Sequence, residues 1–418
     1  MTEVTPKRKR KASKIHFKNV IKGRKALRKI ENFAINTFFI TSKSFHDYTL
    51  GIRQTKRIII SLLIRSAAFL TIIRFGISLV FKSPYILWLT SNANHILGNR
   101  FIISAIIFCG SLLCNMLLGV FLIYNFEFRG NLFLIEFFFE VNQKLENELN
   151  IKFAQKFRNQ MRYASILTSY PLLWIFSGGS AIIFSSPPFI AYFFMNECNE
   201  YSLLISGFWT IIFIIGLFDF YAVLFNAFNL YYLSVTHIKY QFMEVNQEIS
   251  SSIKTKNYSK LLRAIKRHNQ VCISTEKLND SLKYGVFLMY KLTKPAMNLC
   301  IYGMMAQDFL VVTRICCLMI FLILFILMFL LNIMCVLVSS YAKRPLKTIN
   351  NCFLSPRMST KIRLKVMGFA EKLSQTHIGF YCLDLFPMNN KEFYEYVSDW
   401  GFSYLLFLDL LKSSAIIQ

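Results

Sequence analysis

One carboxylate, Asp409, lies inside the apolar run GFSYLLFLDLL at residues 401–411. Placing an acid at the centre of a membrane helix costs about 2.5–3.5 kcal/mol on insertion scales. We therefore expect Asp409 either near water or at a position where the protein uses its charge.

Cations in two other apolar runs raise the same question. Arg65 and Arg74 share one run, and Lys291 and Lys294, followed by Pro295, lie in another. Charged side chains inside membrane segments face protein or water rather than lipid. We expect these runs to turn their polar sides inward.

The other reactive residue types indicate no enzyme. The six histidines (16, 46, 95, 237, 268 and 377) are scattered without metal-ligand spacing, and there is no nucleotide-binding loop or nucleophile elbow. We predict no catalytic residue, no metal and no cofactor. Most of the ten cysteines lie in apolar runs, and only Cys198 is predicted outside the cell, so we expect free, buried thiols.

Composition indicates a polytopic membrane protein. Of the 418 residues, 55% are hydrophobic and only 17% are charged, and long stretches carry no charge at all. The net charge of +26 and the run PKRKRKASK (6–14) are also compatible with nucleic-acid binding. A nuclear protein would not carry several bilayer-length apolar runs, so we interpret the cations as cytoplasmic topology with attraction to membrane lipids.

About 20 apolar residues cross a bilayer as a helix, and seven runs qualify. They are Ile58–Val80, Phe101–Tyr124, Ile166–Phe189, Leu203–Leu233, Gly285–Met305, Ile315–Val338 and Glu392–Leu411. Residues 1–57 contain no signal-peptide core, and residues 31–48 are too interrupted to span, which leaves an interfacial or re-entrant helix.

Lysine and arginine set the orientation. The segments 1–57, 125–165, 234–284 and 339–391 contain 40 of the 48 cations. We therefore predict that these segments are cytoplasmic, that the N-terminus is inside and that the C-terminus is outside. This orientation is opposite to that of G-protein-coupled receptors, and the absence of an internal repeat disfavours a secondary transporter.

The predicted fold is all-α, with seven membrane helices that continue into the cytosol. Apolar residues recur at helical spacing in 258–288 and 358–373, including Leu261, Ile273, Leu278, Leu364 and Phe369. We divide the chain into a basic segment 1–57, six spans in 58–338 with cytosolic loops 125–165 and 234–284, an anchor segment 339–391, and a last helix with an external tail, 392–418. The apolar stripes need a partner, within the chain or on another subunit.

The C-terminal region resembles the insect gustatory receptors, within the wider seven-helix insect chemoreceptor group. Their signature is TYhhhhhQF, where h is apolar, after a segment of the form GFFDLDLSLLFSIIGAVT. Here Gly379, Phe380 and Leu383-Asp384-Leu385 match the leading element, and Ser403-Tyr404 stand at the Thr-Tyr positions. Leu410 and Leu411 replace the usual Gln and Phe. The pairs Leu278-Asn279 and Tyr284-Gly285 also match the family's approach to the fifth span.

The resemblance implies a ligand-gated, non-selective cation channel in the plasma membrane of sensory neurons, assembled as a homo- or heterotetramer. It places the pore in the last span and the ligand pocket between the second and sixth spans, open to the outside. Its implied pore and gate residues are Ser403, Tyr404, Phe407, Asp409, Leu410 and Leu411. Candidates for contact with a small-molecule tastant are Ser104, Trp209, Thr210, Asn298, Tyr302 and Gln307.

Two alternatives stay open. A ring of Asp409 carboxylates would attract cations at a pore mouth, whereas a structural interpretation pairs Asp409 with Lys412 at the membrane surface or turns it toward a neighbouring helix. The loss of Gln at Leu410, together with Arg65 and Arg74, keeps a second function in view. In that function the chain is a receptor-like protein without channel activity of its own, either an obligate subunit or a protein with a role outside taste.

Overall fold

The protein is known from a computed structural model that describes residues 54–80, 200–305, 311–350 and 358–375, with parts of 25–50, 171–178 and 378–409. The second predicted span and the loop 125–165 lie outside the described residues, and so does most of the third span. The described helices are α1 (Thr55–Val80), α2 (Glu200–Lys254), α3 (Tyr258–Met305), α4 (Val311–Lys343), α5 (Pro345–Asn350) and α6 (Thr360–Gln375).

The three longest helices exceed what a membrane needs. Helix α2 has 55 residues and α3 has 48. At 1.5 Å per residue, α2 is about 80 Å long, whereas a hydrocarbon core is about 30 Å thick. Among the described residues, the stretches Gly207–Lys254 and Leu324–Asn350 are long and apolar enough to cross a bilayer. Helices of this length agree with spans that continue into the cytosol.

Helix α2 is the centre of the bundle. It packs against α1, α3 and α4, and α3 also packs against α4. Its buried side chains include Phe225, Phe228 and Phe242, each at most 2% exposed. Helices α2 and α3 form an antiparallel hairpin through a turn in which Lys256 has a φ of 52° and Asn257 accepts the Lys260 backbone N–H at 3.0 Å.

The N-terminal segment also joins the core. Residues 28–36 are helical, and Ile30, Phe33 and Ala34 are each 1% exposed. Asn226 of α2 donates from Nδ2 to Thr37 Oγ1 at 3.0 Å. The stretch predicted as interfacial or re-entrant therefore begins as a short helix that is buried against α2.

A small hairpin follows α6. Strands β1 (Tyr381–Cys382) and β2 (Phe386–Pro387) pair antiparallel, and the Met388 N–H donates to the Phe380 carbonyl at 2.8 Å. Helical periodicity could not predict this element, because two-residue strands carry no periodic signal. The helical prediction holds for the rest of the described chain.

Candidate functional site

Four of the six predicted ligand residues lie on two helices, and the other two lie outside the described residues. Trp209 and Thr210 lie near the start of α2, half-buried, and Asn298 is buried on α3. Tyr302 is in α3, although its side chain is not among those described, and Ser104 and Gln307 lie outside the described residues. Their grouping into one pocket stays a prediction.

Trp209 faces α1. The guanidinium of Arg74 lies over the indole ring, 5.1 Å from its centroid. A cation over an aromatic face is stabilised by the ring quadrupole, and this contact is stronger where water is excluded. The contact provides the inward-facing partner that the sequence required for Arg74, and it occupies one face of Trp209.

Arg65 interacts electrostatically with Asp219, an acid that is not among the residues predicted from the sequence. Asp219 of α2 is half-buried, and the charged group acting on its carboxylate is Arg65 of α1. An acid within the predicted span Leu203–Leu233 was a visible signal, because intramembrane acids pair with intramembrane cations. The pair places opposite charges on neighbouring helices within the apolar region.

Close backbone packing sets the register of these contacts. A Cβ atom on Gly216 would lie 3.0 Å from the Ala68 Cα, so α1 and α2 touch at the glycine. The close approach of Ala68 to Gly216, the contact of Arg74 with Trp209 and the electrostatic interaction of Arg65 with Asp219 follow one antiparallel register, since each step up α1 matches a step down α2. A single helix–helix contact therefore aligns both charged residues of the first span.

Buried polar groups join α2, α3 and α4 further along. Tyr231 and Cys335 hydrogen-bond at 2.7 Å between Oη and Sγ, and the Tyr290 hydroxyl donates to Asn332 Oδ1. Hydrogen bonds between helices stabilise a bundle in an apolar environment, because no water is present there to bind the same polar groups.

Other buried polar atoms have no partner in the described chain. Both amide atoms of Asn229 and the Oδ1 of Asn298 are buried without a hydrogen bond. Leaving a buried polar atom without a hydrogen bond costs about 1–3 kcal/mol, so we expect a water molecule or a ligand to bind such an atom. Asn298 therefore keeps its place among the candidate ligand residues.

The predicted pore residues are only partly described. Tyr404 is helical and half-buried, and Asp409 is helical and exposed. Ser403, Phe407, Leu410 and Leu411 lie outside the described residues. The other residues of its own chain leave the Asp409 side chain exposed, so its role at a pore mouth, at the membrane surface or against a neighbouring helix stays a prediction.

The two segments that carry the family resemblance touch each other. The Asn279 Oδ1 accepts the backbone N–H of Tyr381 at 2.7 Å, although the residues are 102 positions apart. Phe380 is 1% exposed, and its ring lies 6.0 Å from that of Tyr231. The hairpin that precedes the last predicted span is thus fastened to α3 and α2.

A buried histidine links four helices at the predicted cytosolic end. His268 of α3 is fully buried between Phe242 of α2 and Phe369 of α6, with ring centroids 5.1 and 5.0 Å away. Its Nε2–H donates to the Ala342 carbonyl of α4 at 3.0 Å, and its Nδ1 accepts from the Cys272 thiol at 3.5 Å.

Burial controls the protonation of this histidine and its neighbour. Desolvation lowers the pKa of His268 to about 4, with a smaller contribution in the same direction from Lys372, against the opposing hydrogen bond to Ala342. Burial raises the pKa of the Cys272 thiol to about 12. The imidazole is therefore neutral and the thiol protonated at neutral pH.

Comparison with solved structures decides the fold. The insect olfactory receptor OR5 from Machilis hrabei in complex with eugenol superposes with a TM-score of 0.70 at 11% identity, over 94% of this chain and 100% of that one. The chain has the fold of an insect olfactory receptor. A second structure of the same receptor gives a TM-score of 0.64 at 13% identity with the same coverage. No protein family and no curated protein matches the sequence.

The insect olfactory receptor fold confirms the predicted architecture in its main respect, a helical polytopic membrane fold. The neighbours are receptors rather than enzymes. The number of spans and the orientation of the two ends stay predictions from the distribution of lysine and arginine. At this level of identity, the residues of a ligand site do not carry over from one protein to the other.

Proposed function

We propose that this protein is a gustatory-type chemoreceptor, a ligand-gated cation channel of the plasma membrane with its N-terminus inside and its C-terminus outside. The observation that carries the proposal is the likeness of fold to OR5 over 94% of the chain. One OR5 structure holds eugenol, which supports a small-molecule ligand for the shared fold. The gustatory type rests on the C-terminal motif around Ser403-Tyr404.

Assembly into a tetramer is the second part of the proposal. Ile273 of α3 and Leu364 and Met367 of α6 are each at least 50% exposed, although they lie in segments that the charge distribution assigns to the cytosol. Exposed apolar side chains in water favour contact with another surface. These residues belong to the predicted cytosolic stripes or lie next to them, and the described part of the chain leaves them exposed, so contacts between subunits would explain them.

Asp409 is the proposed cation-attracting group at the pore mouth. Four exposed carboxylates around one axis would raise the local cation concentration and repel anions. Without the usual Gln, the gate would close by excluding water around Leu410 and Leu411.

Recording from oocytes that express the chain alone tests this function. We expect a cation current on application of one member of a panel of sugars, amino acids and bitter compounds, and we expect Asp409→Asn to change its permeability or block. Unchanged currents in that variant would remove the pore-mouth role. A tag after Gln418 that antibody reaches only in permeabilised cells would contradict the topology.

The alternative is a subunit without channel activity of its own, and the replacement of Gln by Leu410 favours it. Current that appears only when related receptors are co-expressed would support this alternative. Arg65 no longer argues for it, because Asp219 offers a compensating charge within the same chain.

A further inference from the structure

The turn between α2 and α3 carries a concentrated positive charge. Lys254, Lys256, Lys260, Arg263 and Lys266 are all exposed, and together we call them the basic tip. None of the five forms a salt bridge with any residue of the described chain. The basic tip therefore presents five full charges to the solvent.

Acids in the described part of the chain do not offset these charges. Residues 249–275 contain no Asp or Glu. The two acids just before them, Glu244 and Glu248, are both held by Arg267, at 2.9 and 2.6 Å. Two more exposed cations, Arg344 and Lys347, lie where α4 ends and α5 packs against α2. Among the described residues, positive charge therefore predominates at this end of the bundle.

The apolar face of α3 next to the basic tip is already buried within the protein. Leu261 is fully buried, and Ile265 and Val271 are 8% and 6% exposed. A partner that wraps an amphipathic helix in an apolar groove would need this face. Only the charged side of the helix is available, so a partner must recognise charge.

The distance along α2 from the predicted end of its span disfavours the membrane surface as the partner. Helix α2 continues for 21 residues from Leu233, where the predicted span ends, to Lys254, which is about 30 Å of helix. Electrostatic attraction is screened over about 8–10 Å at physiological salt. Lipid headgroups next to the span are beyond the reach of the basic tip.

The geometry also disfavours a small phosphate compound. Four of the five cations are lysines, which act as point charges rather than as bidentate phosphate ligands. They lie on a turn and on one side of a helix, where all five are exposed rather than enclosed in a pocket. Exposed cations spread along a surface suit an extended anionic chain.

We propose that the basic tip is a docking site for an acidic segment of a cytosolic protein. The turn is held in shape by backbone bonds such as Lys256 N–H to Ile253 O at 3.1 Å and Asn257 N–H to Ser252 O at 3.0 Å, so the cations are presented from an ordered platform. Docking rests on the proposed topology, which places this turn in the cytosol, but not on channel activity.

Binding of fluorescent decaglutamate to the full-length protein in neutral-lipid nanodiscs tests the proposal. The test variant is K254Q/K256Q/K260Q, and the matched control, K277Q/K361Q/K365Q, removes the same charge from exposed lysines elsewhere. We expect about tenfold weaker binding of decaglutamate to the test variant, because three exposed charge pairs with the peptide are lost and each contributes modestly. The control variant should change the affinity less than twofold, because its three lysines lie outside the basic tip. Both variants should keep the melting temperature of the wild type.

Three outcomes would overturn the proposal. An equal loss of affinity in both variants would mean that decaglutamate is attracted to the overall charge of the protein. Unchanged affinity in both variants would mean that the basic tip does not bind the peptide. Tighter binding of a poly(A) oligonucleotide than of decaglutamate, lost in the test variant, would make nucleic acid the occupant. None of these results bears on ligand-evoked current, so this proposal and the proposed channel function fail separately.

Discussion

The side-chain oxygen of Asn279 receives the backbone N–H of Tyr381 at 2.7 Å. This bond fastens the hairpin before the last predicted span to the middle of α3. Asn279 is 7% exposed, so water does not readily replace the bond. A movement of α3 would therefore be transmitted to the hairpin and, in a channel, to the helix that follows it.

Removing this acceptor should destabilise the hairpin. We expect Asn279→Ala to lower the free energy of unfolding by about 1–3 kcal/mol, because the Tyr381 N–H loses its partner in a mostly dry site. Thermal unfolding of the purified protein measures the effect. Gln247→Ala, on an exposed face of α2, is the control. Equal melting temperatures for the two variants would show that the bond contributes nothing.

The Arg65–Asp219 pair should behave as a charge pair rather than as two separate polar groups. Neutralising one partner, as in Arg65→Gln or Asp219→Asn, should cost about 1–3 kcal/mol, less than for a fully buried ion pair, because both side chains are only half-buried. The exchange Arg65→Asp with Asp219→Arg should recover much of that loss. Surface expression and thermal stability are the measurements, and an exchange no better than the worse single variant would contradict the pairing.

Gly216 should tolerate no side chain. In Gly216→Ala the new methyl group would lie 3.0 Å from the Ala68 backbone, so α1 and α2 must separate and the melting temperature should fall. Gly207 is the matched control on the same helix, because nothing lies within 4 Å of its added Cβ. We expect Gly207→Ala to be unchanged or slightly more stable. An equal fall in melting temperature in both variants would contradict a clash with Ala68 and would indicate that α2 needs flexible glycines instead.

Stability should fall in acid because of His268. Its pKa is about 4 in the folded protein and about 6.5 in an unfolded chain, so the unfolded state takes up the proton first. The stabilising effect of the neutral ring is complete above pH 6.5 and is lost as the pH falls through 4, by about 3 kcal/mol in total.

Melting temperatures between pH 8 and pH 4 measure this dependence. His268→Gln should be less stable than the wild type at pH 8, since it loses the contacts with Phe242 and Phe369. It should also lose the part of the slope between pH 6.5 and 4 that belongs to the histidine. Identical slopes in the two proteins would assign the acid sensitivity to other groups.

Local patterns in the sequence predicted much of the helical framework. The stripe through Leu261 and Leu278 is buried as expected, and residues 358–373 form α6 with Phe369 inside. Cys272, Cys300, Cys335 and Cys382 are buried thiols outside any disulfide, as the sequence predicts. Ile273 and Leu364 belong to the same stripes but are exposed, because helical spacing identifies a face and not how much of it the chain itself covers.

The sequence by itself determined the helical class, the lengths of the apolar runs and the distribution of Lys and Arg between them. Each of these depends on composition or on spacing within one helix. Only the tertiary structure decided that the charge of Arg65 acts on Asp219, that Arg74 lies over Trp209 and that Asn279 accepts a hydrogen bond from Tyr381. These contacts join residues far apart in the chain, and they depend on the register in which helices pack. That register is set by close approach, here at Gly216 and Ala68, which no periodicity along one helix encodes.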